Sequence, residues 1–327
     1  MKRILVIYGP TATGKTDLAL KLAKKFNGEL ISADSRQVYK DLDIGTGKIS
    51  RESNVIKHKG YWIVAGVKIH GFDLINPGQS FSVADFLKFA NSSIIRIIEE
   101  GKLPIIVGGT GFYIKSLIEG IPSIGIPANQ KLRSKLEKLS AGKLYQKLCD
   151  LDPKRAKTMN ESDRANPRRL IRAIEIALSY KKSKIKYQKS TSYQLPTTDY
   201  SFIGLTAPNN YLYNRADSRL ETRLKHGLVE EVQNLIKSGI NSGWFEDLGL
   251  EYRWLTRFIL GKIEFEKAKE RLKGDIHSFI RRQKTYFRQF KKTRLPARQV
   301  KIFDISKKNW QGELEKSLDL WYTQGYG

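Results

Sequence analysis

The sequence predicts an α/β protein: a P-loop NTPase-like parallel sheet core interrupted by a mostly helical insertion. The apolar run Ile4-Leu5-Val6-Ile7-Tyr8 leads into Gly9-Pro10-Thr11-Ala12-Thr13-Gly14-Lys15-Thr16, a complete G-x-x-x-x-G-K-S/T pattern, and Leu18, Ala19, Leu22 and Ala23 follow at helical spacing. Short apolar runs alternate with amphipathic stretches in both the early and the late parts of the chain. Between about 122 and 196 the strand patterns vanish, and helical patterns rich in Lys and Arg replace them. The expected division is a core of residues 1–121 and 197–327, with basic helices toward the C-terminus, and an insertion of residues 122–196.

The first strand ends on a loop whose glycines let amide N–H groups point inward, and the next helix sets its N-terminus at the same spot. Residues 9–16 therefore read as a phosphate cradle. Lys15 offers a point charge for the terminal phosphate, and the Thr16 hydroxyl offers a ligand position for Mg2+. A second buried strand, Glu29-Leu30-Ile31-Ser32-Ala33, ends on Asp34-Ser35-Arg36-Gln37. Carboxyl ends of parallel strands line the ligand crevice, which delivers Asp34 beside the cradle; Asp34 equally suits the N-cap of a following helix. Residues 41–48 form a polar, Gly-containing loop on the same face.

Tyr61 to His70 reads as a hairpin turning near Ala65-Gly66, and His70 at its end suits a structural role better than a catalytic one. A helix from Ser82 to Gly101, capped by Ser82, feeds the buried strand Leu103 to Val107. That strand ends in Gly108-Gly109-Thr110-Gly111, where an NTP-hydrolysing protein would place a magnesium-holding Asp. In the insertion, Lys131–Leu148 and Asn166–Lys182 read as helices, followed by the basic run Lys181–Lys189. Tyr200–Thr206 returns to strand. Tyr211–His226 then carries Arg215, Arg219 and Arg223 on one helical face, with Asp217 and Glu221 near enough in sequence to neutralise it in part. Leu228–Lys237 is a further helix, and Phe265–Lys292 a long one in which basic and aromatic residues alternate. Val300–Asp304 is the last strand and Trp310–Tyr322 the closing helix.

A net charge of +26, with an isoelectric point near 9.9, is far more than solubility needs and points to a polyanionic partner, nucleic acid first. Cys149 is the only cysteine, which excludes an intrachain disulfide and a Cys-based metal site and fits a reducing cytoplasm. Lys2 and Arg3 run straight into the first strand, so no signal peptide is expected, and no apolar run approaches the roughly eighteen residues of a membrane span.

Taken together, several stretches resemble the tRNA dimethylallyltransferases, also called tRNA isopentenyltransferases. They are residues 9–16, Ala33-Asp34-Ser35-Arg36-Gln37-Val38-Tyr39, Asp43-Ile44-Gly45-Thr46-Gly47-Lys48, Gly108-Gly109-Thr110-Gly111-Phe112-Tyr113, Arg168-Arg169-Leu170-Ile171-Arg172-Ala173-Ile174-Glu175, and Leu212-Tyr213 with Arg215. The resemblance covers nearly the whole chain. It implies transfer of a dimethylallyl group from dimethylallyl diphosphate to N6 of adenosine 37, beside the anticodon, in tRNAs that read codons beginning with U. It also implies that Gly9, Pro10, Thr11, Ala12, Thr13, Gly14, Lys15 and Thr16 hold the diphosphate leaving group rather than ATP, with Mg2+ at Thr16. By the same resemblance Asp34 is the general base, and Lys15, Arg215 and Thr110 complete the catalytic set. Asp34, Ser35, Arg36, Gln37 and Thr110 would hold the target nucleotide of the anticodon stem-loop, and Arg133 would add a tRNA contact. The adenine is expected to leave its stack to reach this pocket. A monomer is expected.

The chain departs from the family pattern at Ile276-His277, where the family shows Thr-Arg, at Arg281-Arg282-Gln283 for Lys-Arg-Gln, at Tyr286 for Trp, and at Gly249-Leu250-Glu251-Tyr252, a loose Ile-Gly-Tyr motif. These departures are expected to touch tRNA docking and to leave the chemistry intact. The alternative enzyme is a P-loop small-molecule kinase, which the charge disfavours. Two further alternatives are a non-catalytic RNA-binding protein and a prenyltransferase acting on free adenine nucleotides.

Overall fold

The computed structural model describes residues 2–48, 54–121, 123–124, 126–183, 198–292 and 300–323. The chain divides into two compact units, residues 1–118 with 195–327 and residues 119–194.

Among the described residues of the larger unit, eight strands form one sheet in the order β3-β4-β5-β2-β6-β1-β7-β8. They are β1 (Lys2–Tyr8), β2 (Gly28–Ser32), β3 (Val55–His58), β4 (Tyr61–Val64), β5 (Val67–His70), β6 (Leu103–Gly108), β7 (Thr198–Thr206) and β8 (Val300–Asp304). β1 lies between β6 and β7, parallel to both, with Tyr8 level with Gly108 on one side and Gly204 on the other. Ile4, Leu5, Val6 and Ile7 are fully buried, as expected for a strand covered on both faces of a parallel sheet. The loop after Tyr8 therefore emerges among the carboxyl ends of neighbouring strands.

The sheet is mixed rather than purely parallel. β4 and β5 pair antiparallel and turn at Ala65-Gly66, while β3 adds an antiparallel edge that the sequence did not announce. β3 is four residues long and mostly exposed, with Lys57 and His58 in it, so it has no apolar alternation to read. His70 is buried between Glu29 (2.6 Å) and an Arg96 guanidinium nitrogen (3.0 Å), a structural setting. Burial lowers its pKa, which the Glu29 carboxylate only partly offsets.

The helices of this unit are α1 (Lys15–Lys25), α2 (Val83–Glu99), α3 (Gly111–Glu119), α9 (Asn209–Lys225), α10 (Leu228–Lys237), α11 (Ser242–Leu248), α12 (Leu250–Ile259), α13 (Phe265–Arg288) and α14 (Trp310–Thr323). α2 starts with a full capping box, Ser82 and Asp85 each bonding the other's backbone N–H. α13 ends in a 3-10 turn, Gln289–Lys292. Its Phe287 points inward with Phe290 from that turn, both rings within 5.1 Å of Tyr8, whereas Arg281, Arg282 and Arg288 face solvent. None of the described helices is long and apolar enough to cross a membrane.

The smaller unit holds α4 (Gln130–Leu136), α5 (Ala141–Leu151), α6 (Pro153–Thr158), α7 (Glu161–Arg164) and α8 (Pro167–Ser183) around Leu136, Leu144, Leu148, Leu170 and Ile174. The single helix expected over 131–148 is two. Ser140 breaks it, its hydroxyl accepting the Lys143 N–H as the N-cap of α5. Lys184–Lys189 of the basic run lie outside the described residues.

Gly108 closes β6 against β2. A Cβ there would collide with the Ala33 carbonyl, which carries the chain into Asp34. Gly108→Ala should lower unfolding stability by about 1–3 kcal/mol in denaturant titrations, the usual cost of overpacking.

Candidate active site

The loop of residues 9–16 is shaped by close approach. Gly9 passes against the Leu205 carbonyl of β7, where a Cβ would clash. Gly14 caps α1 in the left-handed region at φ 78°, a conformation glycine adopts without strain. Thr13 Oγ1 and Lys15 Nζ both donate to the Pro10 carbonyl, at 2.9 and 2.7 Å. From α9, Arg215 Nε donates to the Ala12 carbonyl at 2.8 Å. From α13, Gln283 ties two loops together: it accepts the Thr11 N–H at 2.8 Å and donates to the Gly109 carbonyl at 2.9 Å.

Cations crowd this loop. Desolvation pushes the Lys15 ammonium down to about 7, Arg219 adds to the shift, and Asp34 opposes it. Arg219 is pushed down to about 10 by desolvation and by Arg223 and Arg215 on its own helix. Neither acid expected to soften this face does so. Asp217 pairs with His277 at 2.9 Å, and Glu221 with Lys269 and Lys273, both at 2.9 Å, so each carboxylate is turned toward α13. Tyr213 stacks on His277 at 4.0 Å, which holds the same seam.

Beside the cradle, β2 runs into turns rather than a helix, so the expected N-cap role of Asp34 is not realised. Its Oδ1 accepts the Arg36 N–H at 2.9 Å, an Asx turn that leaves the carboxylate partly exposed. Thr110 Oγ1, just past β6, accepts the Ser35 N–H at 3.1 Å, and the Thr110 N–H bonds the Ala33 carbonyl. Gln37 accepts from Ser32 Oγ at 2.6 Å and donates to the Thr46 carbonyl at 3.2 Å. The structure thus brings Asp34, Ser35, Arg36, Gln37 and Thr110 into one hydrogen-bonded turn whose acid acts electrostatically on Lys15.

The loop of residues 43–48 is held from below. The Glu231 carboxylate on α10 accepts the N–H groups of Asp43, Ile44 and Gly45 at 2.8, 2.6 and 3.0 Å, and the buried Tyr252 hydroxyl donates to it at 2.9 Å. Lys48, itself buried, bonds Asp43, Asp73 and the Tyr39 carbonyl. Gly45 packs on the buried Tyr252 ring with no room for a side chain, and Gly47, against the Arg223 guanidinium, takes φ 69°, which suits glycine.

Arg133 stands in the smaller unit, where its Nε and Nη2 grip the buried Glu175 carboxylate in a two-pronged pair, both at 2.8 Å. A guanidinium so engaged braces α4 on α8, a job the sequence reading had not assigned to it. Among the described residues, no group of three His, Cys, Asp or Glu side chains could hold a metal by itself. Thr16, in the first turn of α1, offers a single hydroxyl. That donor suits Mg2+, which keeps waters and takes its remaining oxygens from a phosphate ligand.

Glu231 had no place in the sequence reading, and Gln283, Glu251 and Tyr252 entered it within family motifs alone, without a role at the site. Of the C-terminal departures, Tyr286 packs on Gly111, while Gln283, where the chain keeps the family's residue, touches the cradle itself. The readable signal was a Glu placed within the apolar pattern Leu250, Tyr252, Leu255, where an acid has to find a buried partner.

A family model described as IPP transferase matches residues 37–290. The chain is 38% identical over 293 residues to a tRNA dimethylallyltransferase of Acetivibrio thermocellus, covering 88% of this chain and 90% of that one. It shows the same identity over 294 residues to one of Caldanaerobacter subterraneus, covering 88% and 89%. The crystal structure of a tRNA delta(2)-isopentenylpyrophosphate transferase from Staphylococcus epidermidis superposes with a TM-score of 0.65 at 32% identity, covering 98% of this chain and 99% of that one. A eukaryotic dimethylallyltransferase acting on tRNA superposes with a TM-score of 0.73 at 26% identity, covering 93% and 74%. With a cationic phosphate loop facing a carboxylate turn and a match over most of its length, the chain belongs to the IPP transferase family.

Proposed function

We propose that the chain transfers a dimethylallyl group from dimethylallyl diphosphate to N6 of adenosine 37 in the anticodon stem-loop of tRNAs that read codons beginning with U. One observation carries the reading: the loop after β1 and the carboxylate turn after β2 both leave the carboxyl ends of strands that flank β6 in one sheet, and the Asp34 charge acts on Lys15. A diphosphate seated in the loop would meet the amides of residues 9–16, the Lys15 ammonium and the Arg215 and Arg219 guanidiniums. The N6 amino nitrogen, whose lone pair is freed from the purine as its proton is drawn off, attacks the allylic carbon, and that carbon's bond to the diphosphate oxygen breaks. The electron pair leaves with the diphosphate, whose growing charge these cations stabilise. The proton lost from N6 passes to the Asp34 carboxylate. Thr110 fixes the turn that presents Asp34, and Ser35 and Gln37 line the approach for an adenine that has left its stack.

Mg2+ bound through Thr16 would supply further charge neutralisation at the departing diphosphate. The surplus of 59 basic over 33 acidic residues favours tRNA over a free nucleotide as acceptor. A reducing cytoplasm fits the single cysteine, Cys149.

The test is incubation with Mg2+, dimethylallyl diphosphate and an anticodon stem-loop carrying adenosine 37, followed by mass spectrometry of the digested nucleosides. A mass gain confined to that adenosine is expected; no gain, with phosphate release from ATP, would replace the transferase with a kinase. Asp34→Ala should keep affinity for both substrates and lose turnover by about 100-fold or more, read from single-turnover rates. Lys15→Ala should weaken diphosphate binding by about tenfold or more in calorimetry, and unchanged affinity would remove Lys15 from the cradle.

A further inference from the structure

Glu251 is 2% exposed, on the first turn of α12. It faces two guanidiniums: Oε2 accepts from Arg36 Nη1 at 2.7 Å, and Oε1 from Arg223 Nη1 at 3.1 Å. The same Arg223 nitrogen donates to the Gly45 carbonyl at 3.1 Å. The preceding Leu250 sits in the left-handed region at φ 48°, an uncommon conformation for a bulky side chain. Burial alone would push the Glu251 carboxyl up, but Arg36 and Arg223 hold it below the ordinary range.

Arg36 is bonded to Asp34 through its backbone, whose N–H closes the Asx turn on Asp34 Oδ1, and its guanidinium lies within reach of the same charge as well as that of Glu251. Two carboxylates thus compete for one guanidinium, and the buried one holds it. We propose that Glu251 is a positioning residue that keeps Arg36 off Asp34, so that the Asp34 carboxylate stays open toward the crevice. Remove the Glu251 charge, and Arg36 turns to the nearest remaining carboxylate, masking the group that takes the N6 proton. Arg223 keeps its Gly45 contact, so the 43–48 loop is held in either case. The inference rests on the role of Asp34 given above.

Two experiments separate this from a merely structural role. Glu251→Gln should lower kcat about tenfold or more at saturating substrates, the scale of a misplaced catalytic group, with diphosphate KM changed less than about twofold since Lys15 and Arg215 are untouched. Adding Arg36→Gln should restore kcat roughly threefold or more, because the masking cation is gone, even if KM for the stem-loop rises. A double variant no faster than Glu251→Gln overturns the proposal. If Glu251→Gln does not fold, Glu251→Asp, too short to span both guanidiniums, is compared with and without Arg36→Gln by the same criterion.

The second readout needs no activity and stands even if no transfer is found. Asp34→Asn should leave the thermal midpoint of the parent protein almost unchanged, but lower that of the Glu251→Gln or Glu251→Asp protein by about 3 °C or more, since Arg36 then rests on Asp34. Equal shifts in both backgrounds overturn the proposal. Transfer by the parent with no rescue rejects the positioning role alone, whereas a parent that transfers nothing rejects the functional reading.

Discussion

Repulsion among the cations gathered at the phosphate loop sets the terms for everything around it. Lys15 opens α1, while Arg215, Arg219 and Arg223 follow one another at four-residue spacing along α9; desolvation first, then Arg219 acting on Lys15, and Arg223 and Arg215 acting on Arg219, depress Lys15 and Arg219. Such an arrangement is unfavourable by itself and becomes favourable when a polyanion arrives. Its persistence in the fold depends on neutral anchors: carbonyls of Pro10 and Ala12 take the N–H groups of Lys15 and Arg215 without cancelling their charge, whereas Arg223 bonds both the Gly45 carbonyl and the Glu251 carboxylate. Carboxylates are kept one step back, on Arg36 and Arg223 through Glu251, or are drawn off to α13 as Asp217 and Glu221 are.

The same economy explains why the second half of the chain is indispensable to a site whose signature lies in the first sixteen residues. β7 supplies the wall against which Gly9 turns, α9 the arginines, α10 the Glu231 carboxylate that ties three amides of the 43–48 loop, and α13 the Gln283 amide that spans two loops. A phosphate loop shaped this way needs no acid at the end of β6. Gly108 instead allows close approach of the Ala33 backbone that leads into the Asp34 turn, Gly109 allows that of Gln283, and Thr110 fastens the turn.

Local signals made much of this legible. Lys15, Thr16 and the strand before them were readable because glycine spacing and apolar runs are properties of adjacent residues, as were the arginine face of α9 and the Ser82 cap. What escaped was long-range partnership. No pattern within residues 131–148 outweighs helical periodicity, so the cap at Ser140 was read through. Nothing in the neighbourhood of Asp217 shows that His277 would claim it, and nothing near Arg133 shows Glu175. Glu251 entered the sequence reading as part of a loose motif without a role, since its two partners lie 215 and 28 residues away. The edge strand β3 was hidden for a different reason: four mostly exposed residues carry no alternation.

The central claim is that cation crowding is relieved by a diphosphate, and the most direct test counts protons. With Lys15 near 7 in the free protein, most of its ammonium is deprotonated at pH 8, and a bound diphosphate raises its pKa again. Titration calorimetry of dimethylallyl diphosphate with Mg2+ at pH 8, repeated in buffers of different ionisation enthalpy, should show uptake approaching one proton, lost in Lys15→Met and falling away as the pH is lowered below 7. Binding with no proton uptake at pH 8, or uptake unchanged in Lys15→Met, would contradict the account.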